Sequence, residues 1–188
     1  MKSDILFSDA PALITRRRGL FTLGALAATG LAQSTWAKGA AAGSGDAVIL
    51  NAALALEFQA IAAYQVGAES KLLDKPVLDL AVQFQGHHKA HAAALTVAIE
   101  NSGGVAAESK TIAGYAFPVD QLKSQADVLR FAAGLEKAAA SAYVSSLANL
   151  RQKSLIKGAA AILGDETMHW AVLLNALGEN PVPVAFIS

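Results

Sequence analysis

Gly164–Leu173 reads Gly-Asp-Glu-Thr-Met-His-Trp-Ala-Val-Leu and sets Glu166 three residues ahead of His169. The apolar positions around the pair, Leu155, Ala159, Ile162, Leu173 and Ala176, keep up the three-and-four spacing. A carboxylate and an imidazole therefore fall on the stripe that a helix turns towards its core. A buried carboxylate is costly unless something pairs with it, and a metal ion satisfies it and the imidazole together. A single Glu-x-x-His decides little, since most such pairs are solvated or contain one hydrogen-bonded core histidine.

Three more stripes carry the same kind of interruption. Leu50, Leu54, Glu57, Ile61, Tyr64 marks a first helix from Asp46 to about Val66, with Asp46 as its cap. Val77, Leu80, Phe84, His88, His91, Leu95, Ala98 marks a second, which opens with Pro76 in its first turn, runs to about Asn101 and stops at Ser102-Gly103-Gly104. Leu129, Ala132, Glu136, Ala140, Tyr143, Leu147, Leu150 marks a third, opened by Ser124-Gln-Ala-Asp127, which resembles a capping box. The fourth helix, with Glu166 and His169, follows a turn at Arg151–Lys153 and ends at Gly178, a left-handed cap. Residues 179–188, with Pro181 and Pro183, read as an extended tail packed on the bundle end.

The stripes repeat. Leu56-Glu57-x-x-Ala60-x-x-Ala63-Tyr64 recurs as Leu135-Glu136-x-x-Ala139-x-x-Ala142-Tyr143, and His88-x-x-His91-x-Ala93-x-Leu95 recurs as Glu166-x-x-His169-x-Ala171-x-Leu173. The motifs lie 31 residues apart in the first half and 30 in the second. The spacing predicts two similar helix pairs joined by a crossover over 105–123, with Tyr115-Ala-Phe-Pro118 as its apolar anchor. A pseudo-twofold axis would bring Glu57, His88, His91, Glu136, Glu166 and His169 to the bundle centre. Each alone reads as an edge carboxylate or a core histidine bonded to a carbonyl, and Tyr64 and Tyr143 as core packing with tethered hydroxyls. Six in register read as metal ligands, because three facing carboxylates without cations would be held at raised pKa values. His87 falls on the shoulder of its stripe, in an outer or surface role.

Composition agrees with packed helices. The chain of 188 residues is 54% hydrophobic and rich in Ala, with few runs suited to strands. No cysteine is present, which excludes disulfides and thiolate ligands. Residues 1–37 read as a targeting segment: Arg16-Arg17-Arg18, then Gly19-Leu20-Phe21, an apolar run to about Ala32, and Thr35-Trp36-Ala37 with small residues at cleavage-type positions. The run is too short for a permanent membrane span. Arg17-Arg18-Gly19-Leu20-Phe21 resembles a twin-arginine signal, which predicts export to the periplasm, engagement of the twin-arginine machinery and cleavage after Ala37. Residues 38–45 form an Ala/Gly/Ser linker to a domain over 46–178. The leader takes four of the 15 basic and two of the 15 acidic residues. The mature balance is then about −2, which offers no footprint for nucleic acid.

The pattern of Glu57, His88-x-x-His91, Glu136 and Glu166-x-x-His169 resembles the ferritin-like family, above all its exported bacterial members behind a twin-arginine leader. The resemblance spans about Asp46 to Pro183. It implies an all-α four-helix bundle and a centre for two iron or manganese ions, held by Glu on the first and third helices and Glu-x-x-His on the second and fourth. Glu57 and Glu136 would be the single carboxylates, Glu166 and His169 the fourth-helix pair, and His91 the second-helix histidine. His88 stands where the usual pattern has a metal-bridging Glu. Three carboxylates and three imidazoles imply one or two ions per chain. Iron comes first, and zinc or copper gains over an all-oxygen site. The resemblance points away from a storage cage and towards a small assembly such as a dimer. Three functions stay open: redox chemistry on iron, oxygen or peroxide; metal binding without turnover; and a structural, stress-related bundle.

Overall fold

The computed structural model describes residues 45–188. The leader predicted over 1–37 and the linker predicted over 38–45 lie outside them, apart from Gly45. Four α-helices make the fold among the described residues: α1 (Gly45–Glu69), α2 (Lys75–Asn101), α3 (Gln125–Leu147) and α4 (Lys153–Ala176). No strand occurs among the described residues, and the predicted all-α four-helix bundle is what is seen.

Short turns make α1–α2 and α3–α4 antiparallel hairpins. Asp74 caps α2 by accepting the N–H of Val77 at 3.1 Å, and Pro76 sits in the first turn. Ser124 Oγ accepts the N–H of Asp127 at 3.2 Å. The Asp127 carboxylate returns to the N–H of Lys123 at 3.1 Å, one residue before the partner that a capping box would use.

The first helix corrects one expectation. The sequence makes Asp46 the cap of that helix, but α1 begins one residue earlier and the buried carboxylate works elsewhere. It accepts the backbone N–H groups of Arg151 at 3.1 Å and Gln152 at 3.2 Å. No capping bond comes from Gln152, the residue that precedes α4. Asp46 thus supplies acceptors at that turn and ties the start of α1 to it. The third helix stops at Leu147, and the buried Leu150 lies in the turn instead.

The same tie sets the course of the chain. The start of α1 lies beside the end of α3, and Gly67, near the end of α1, faces Val128 at the start of α3, where an added Cβ would come within 3.2 Å of Val128 Cγ1. The two helices are therefore antiparallel, and the segment after α2 must travel the length of the bundle. Asn51 holds its beginning, donating to the Val105 carbonyl at 2.9 Å and accepting from the Ala107 N–H at 2.7 Å. Tyr115 and Phe117 anchor its far part, with Phe117 edge-on to Phe131 of α3 at 5.6 Å.

Two apolar clusters fill the bundle. One contains Leu50, Leu54, Leu95, Ile99, Tyr143 and Ile162. The other contains Tyr64, Phe84, Leu129, Trp170, Leu173 and Leu174. On every helix the polar residues of the stripe fall between a member of one cluster and a member of the other, so the acids and imidazoles form a layer closed above and below by apolar packing. By length and composition α1 is apolar enough to cross a membrane, yet here its stripe of Leu50, Leu54, Glu57 and Tyr64 is buried in the bundle.

Gly178 closes α4 at φ 72°, and the Glu179 N–H reaches the Leu174 carbonyl at 2.9 Å. The expected packing of the tail holds only in part. Phe186 is 86% exposed, while Ile187 packs against the Tyr64 cluster and the Ser188 carbonyl accepts from Ser141 Oγ at 2.8 Å.

Candidate metal centre

All six predicted residues meet in the polar layer. Glu57, His88, Glu136, Glu166 and His169 are at most 1% exposed, and only His91 reaches partway to solvent. Burying isolated charges costs several kcal/mol each, so the partners of these groups decide whether the layer is tenable.

The repeat partners serve each other across the axis. Tyr143 donates to Glu57 Oε1 at 2.6 Å, and Tyr64 donates to Glu136 Oε1. Each tyrosine thus holds the carboxylate of the other half. Burial, with the charge of these acids, raises both phenols well above their ordinary value, so they stay protonated donors.

His88 spends both ring nitrogens on the two single carboxylates. Nδ1 lies 2.8 Å from Glu57 Oε2 and Nε2 3.2 Å from Glu136 Oε1. Burial alone would lower its pKa, but the carboxylates of Glu136 and Glu57 override burial and push it up to about 10. In the same way Glu166 and Glu57 outweigh burial at His91 and push it up to about 9. Burial is outweighed in turn at Glu57, held below its ordinary value by His88 and His91, and at Glu136, held well below it by His169 and His88. Glu166 goes the other way. Burial raises it, His91 opposes, and the neighbouring Glu136 and Glu57 help carry it to about 8.

Among the described residues, five buried side-chain atoms lack a hydrogen bond: His91 Nδ1, His169 Nδ1, Glu136 Oε2 and both oxygens of Glu166. His91 Nδ1 lies 3.1 Å from Glu166 Oε1 and His169 Nδ1 3.6 Å from Glu136 Oε2, within ion-pair reach but without hydrogen-bond geometry. Orphaned buried polar atoms are rare and expensive. Here they are all potential ligands, and they fall into two overlapping groups. Glu57, His88, His91 and Glu166 form one, and His88, Glu136, Glu166 and His169 the other, each with its ligand atoms within 4.8 Å of one another. The donor set fits one or two cations, with His88 and Glu166 common to both groups.

Two further residues border the site. Asp165 Oδ2 lies 3.2 Å from His91 Nε2 and 3.3 Å from His169 Nε2. An outer carboxylate on Nε2 favours the tautomer with Nδ1 free, which is the nitrogen each ring turns inward. Sequence reading passed over Asp165 because it sits one residue off the stripe; its adjacency to Glu166 was the available signal. His87, expected in an outer or surface role, has Nδ1 3.0 Å from Asp165 Oδ2 and 2.9 Å from His169 Nε2. Phe84 stacks on the His169 ring at 4.0 Å and closes that side.

Four antiparallel helices that each turn acids or imidazoles to a shared centre define a bundle of the carboxylate–histidine class. Residues 45–179 match the family model for the ferritin-like domain, and the chain belongs to that family. Among solved structures it is similar to a conserved hypothetical protein, rv2844, from Mycobacterium tuberculosis, with 26% identity and a TM-score of 0.65 over 76% of this chain and 97% of that one. It is also similar in fold to a ferritin-like, diiron-carboxylate protein from Bacillus anthracis str. Ames, with 22% identity and a TM-score of 0.60 over 70% of this chain and 94% of that one. No curated protein matches it in sequence.

Proposed function

We propose that this protein is exported to the periplasm through the twin-arginine route and holds iron, one or two ions per chain, at Glu57, His88, His91, Glu136, Glu166 and His169, where ferrous iron is oxidised or oxygen or peroxide reduced. The observation that carries the metal reading is the set of five buried ligand-type atoms that lack a hydrogen bond at the meeting point of four helices. The description of the Bacillus anthracis relative as a diiron-carboxylate protein supports iron. The Arg17-Arg18-Gly19-Leu20-Phe21 run and Thr35-Trp36-Ala37 support export.

Iron held in this layer would supply one-electron chemistry towards oxygen or peroxide. The chain's own residues do the rest. Tyr143 and Tyr64 fix the rotamers of Glu57 and Glu136. Asp165 keeps His91 and His169 as Nδ1 ligands. The apolar clusters exclude bulk water above and below, which strengthens every charge interaction in the layer. Binding at neutral pH must displace the protons that His88, His91 and Glu166 carry.

Metal holding without turnover is the second reading, and His88 favours it. An imidazole ligates through one nitrogen and removes no charge, whereas a bridging carboxylate joins two ions and neutralises one unit. Zinc or copper would suit that reading through the three imidazoles, and manganese through the three carboxylates. Anaerobic loading with ferrous ion followed by oxygen separates the two. Ultraviolet–visible changes on oxygen addition, with oxygen uptake, mark redox chemistry. Stoichiometric binding with no oxygen uptake marks storage or buffering. Absence of any bound metal from protein folded in its native compartment would leave the structural bundle.

A further inference from the structure

Beside the core, on the face shared by α2 and α4, three more donor atoms converge. His87 Nδ1, Asp165 Oδ2 and His169 Nε2 form a triangle with sides of 3.0, 3.3 and 2.9 Å. We propose that His87, Asp165 and His169 form an outer site for a divalent transition cation, distinct from the core centre and at its mouth.

Hydrogen bonding accounts poorly for this triangle. A ring nitrogen carries one proton or one lone pair in the plane of its ring. His87 Nδ1 has two hydrogen-bond contacts, Asp165 Oδ2 and His169 Nε2, and Asp165 Oδ2 also lies within ion-pair reach of His169 Nε2. No choice of tautomers gives each contact its own proton and acceptor lone pair. A single cation resolves the conflict, because each atom then points one lone pair at one place. The size is also right. With bonds of about 2.1 Å, ligand atoms around one ion stand roughly 3.0 Å apart in octahedral and 3.4 Å apart in tetrahedral geometry; two of the triangle's sides fall in that range and the third, 2.9 Å, is just below it. Two imidazoles and one carboxylate suit zinc, cobalt, copper or ferrous ion over magnesium or calcium.

Access separates this site from the core. Side-chain exposure falls from 38% at His87 to 21% at Asp165, 14% at His91 and 2% at His169. The outer triangle thus takes ions directly from solvent, with the open coordination positions filled by water. His169 presents Nε2 to the outer site and Nδ1 to the core, so with both sites filled its ring would bridge them as an imidazolate, releasing the Nε2 proton otherwise turned to Asp165.

Zinc alone serves as the probe. Crystals of the mature chain equilibrated with Zn²⁺ and measured above the zinc absorption edge should show an anomalous peak within bonding distance of His87, Asp165 and His169. By equilibrium dialysis, His87→Ala should bind one zinc fewer per chain than wild type while keeping the same circular dichroism. A loaded core with no peak at the triangle would overturn the outer site and leave the core reading intact. Equal stoichiometry in wild type and His87→Ala would overturn it too. A peak at the triangle with an empty core would support the outer site and count against the core reading for zinc. The crystal arm uses wild type, so it decides the matter even if the variant folds poorly.

Discussion

Tyr143 on α3 donates its hydroxyl to Glu57 on α1 at 2.6 Å, and the equivalent pair, Tyr64 and Glu136, repeats the bond in the opposite sense. Each half of the chain orients the carboxylate of the other. Tyr143→Phe keeps the ring and removes the donor, leaving Glu57 Oε1 buried without that partner. It should cost about 1–3 kcal/mol in urea unfolding of the metal-free protein. A cost below about 0.5 kcal/mol would mean that the hydroxyl is dispensable to the layer.

Chelation should lower the melting temperature. A cation that binds only the folded layer adds its binding free energy to the native state, about 2.7 kcal/mol at a hundredfold excess over Kd. Thermal scans with and without chelator check this, and superimposed curves would favour a purely structural bundle.

The metal-free protein should lose stability as pH rises. Folded values of about 10 for His88 and about 9 for His91 exceed the ordinary 6.5, and about 8 for Glu166 exceeds 4.5. A raised folded value means that the native state holds the proton more tightly. The stabilisation is complete below the unfolded pKa and is lost through the folded one. Glu166 thus acts between about 4.5 and 8, and the two histidines between about 6.5 and 10. Glu57 and Glu136, held low, act in the opposite sense but below 4.5. Urea unfolding of chelated protein should give a lower midpoint at about pH 9 than at about pH 6. Metal-loaded protein should show a smaller loss, since ions compete with those protons and release roughly three of them on binding at neutral pH. A midpoint that is flat with pH without metal would show His88 and His91 to be neutral in the layer.

His88→Glu should change both forms in opposite directions. Without metal it removes the imidazolium between Glu57 and Glu136 and adds a carboxylate to a layer already rich in them, so the melting temperature should fall. With iron it supplies a bridging ligand, which should raise bound iron towards two per chain and speed oxygen uptake by the ferrous form. Wild type that already holds two irons and outpaces the variant would show that imidazole suits this position.

Replacing Arg17 and Arg18 together with Lys should strand precursor in the cytoplasm, detectable by fractionation. Unchanged export would assign the leader to the general secretory route.

Much of this was legible before the fold. The three-and-four periodicity marked all four helices, and the internal repeat placed Glu57, His88, His91, Glu136, Glu166 and His169 in one layer, because a residue on the stripe centre has nowhere else to go. What escaped lay off the stripes or depended on contacts distant in sequence. Asp165 is a shoulder residue, and only the convergence of α2 and α4 shows that three imidazole nitrogens surround its Oδ2. Asp46 looked like the cap of its own helix, and nothing local announces that its acceptors serve Arg151 and Gln152. Phe186 is apolar yet solvated, which composition alone does not foretell.

The crossed tyrosine–glutamate bonds also bear on the symmetry of the centre. The axis they define passes through the centre, so each hairpin is half a site. Two copies of the α3–α4 hairpin would surround the axis with four carboxylates, from Glu136 and Glu166, and two imidazoles. Two copies of the α1–α2 hairpin would offer two carboxylates and four imidazoles, from His88 and His91. The fused chain holds one of each. Each group of four nonetheless holds two carboxylates and two imidazoles, so the asymmetry falls at one place: His88 faces the axis from one half where Glu166 faces it from the other. The centre thus has a direction, from His88 to Glu166, that neither hairpin paired with itself would have.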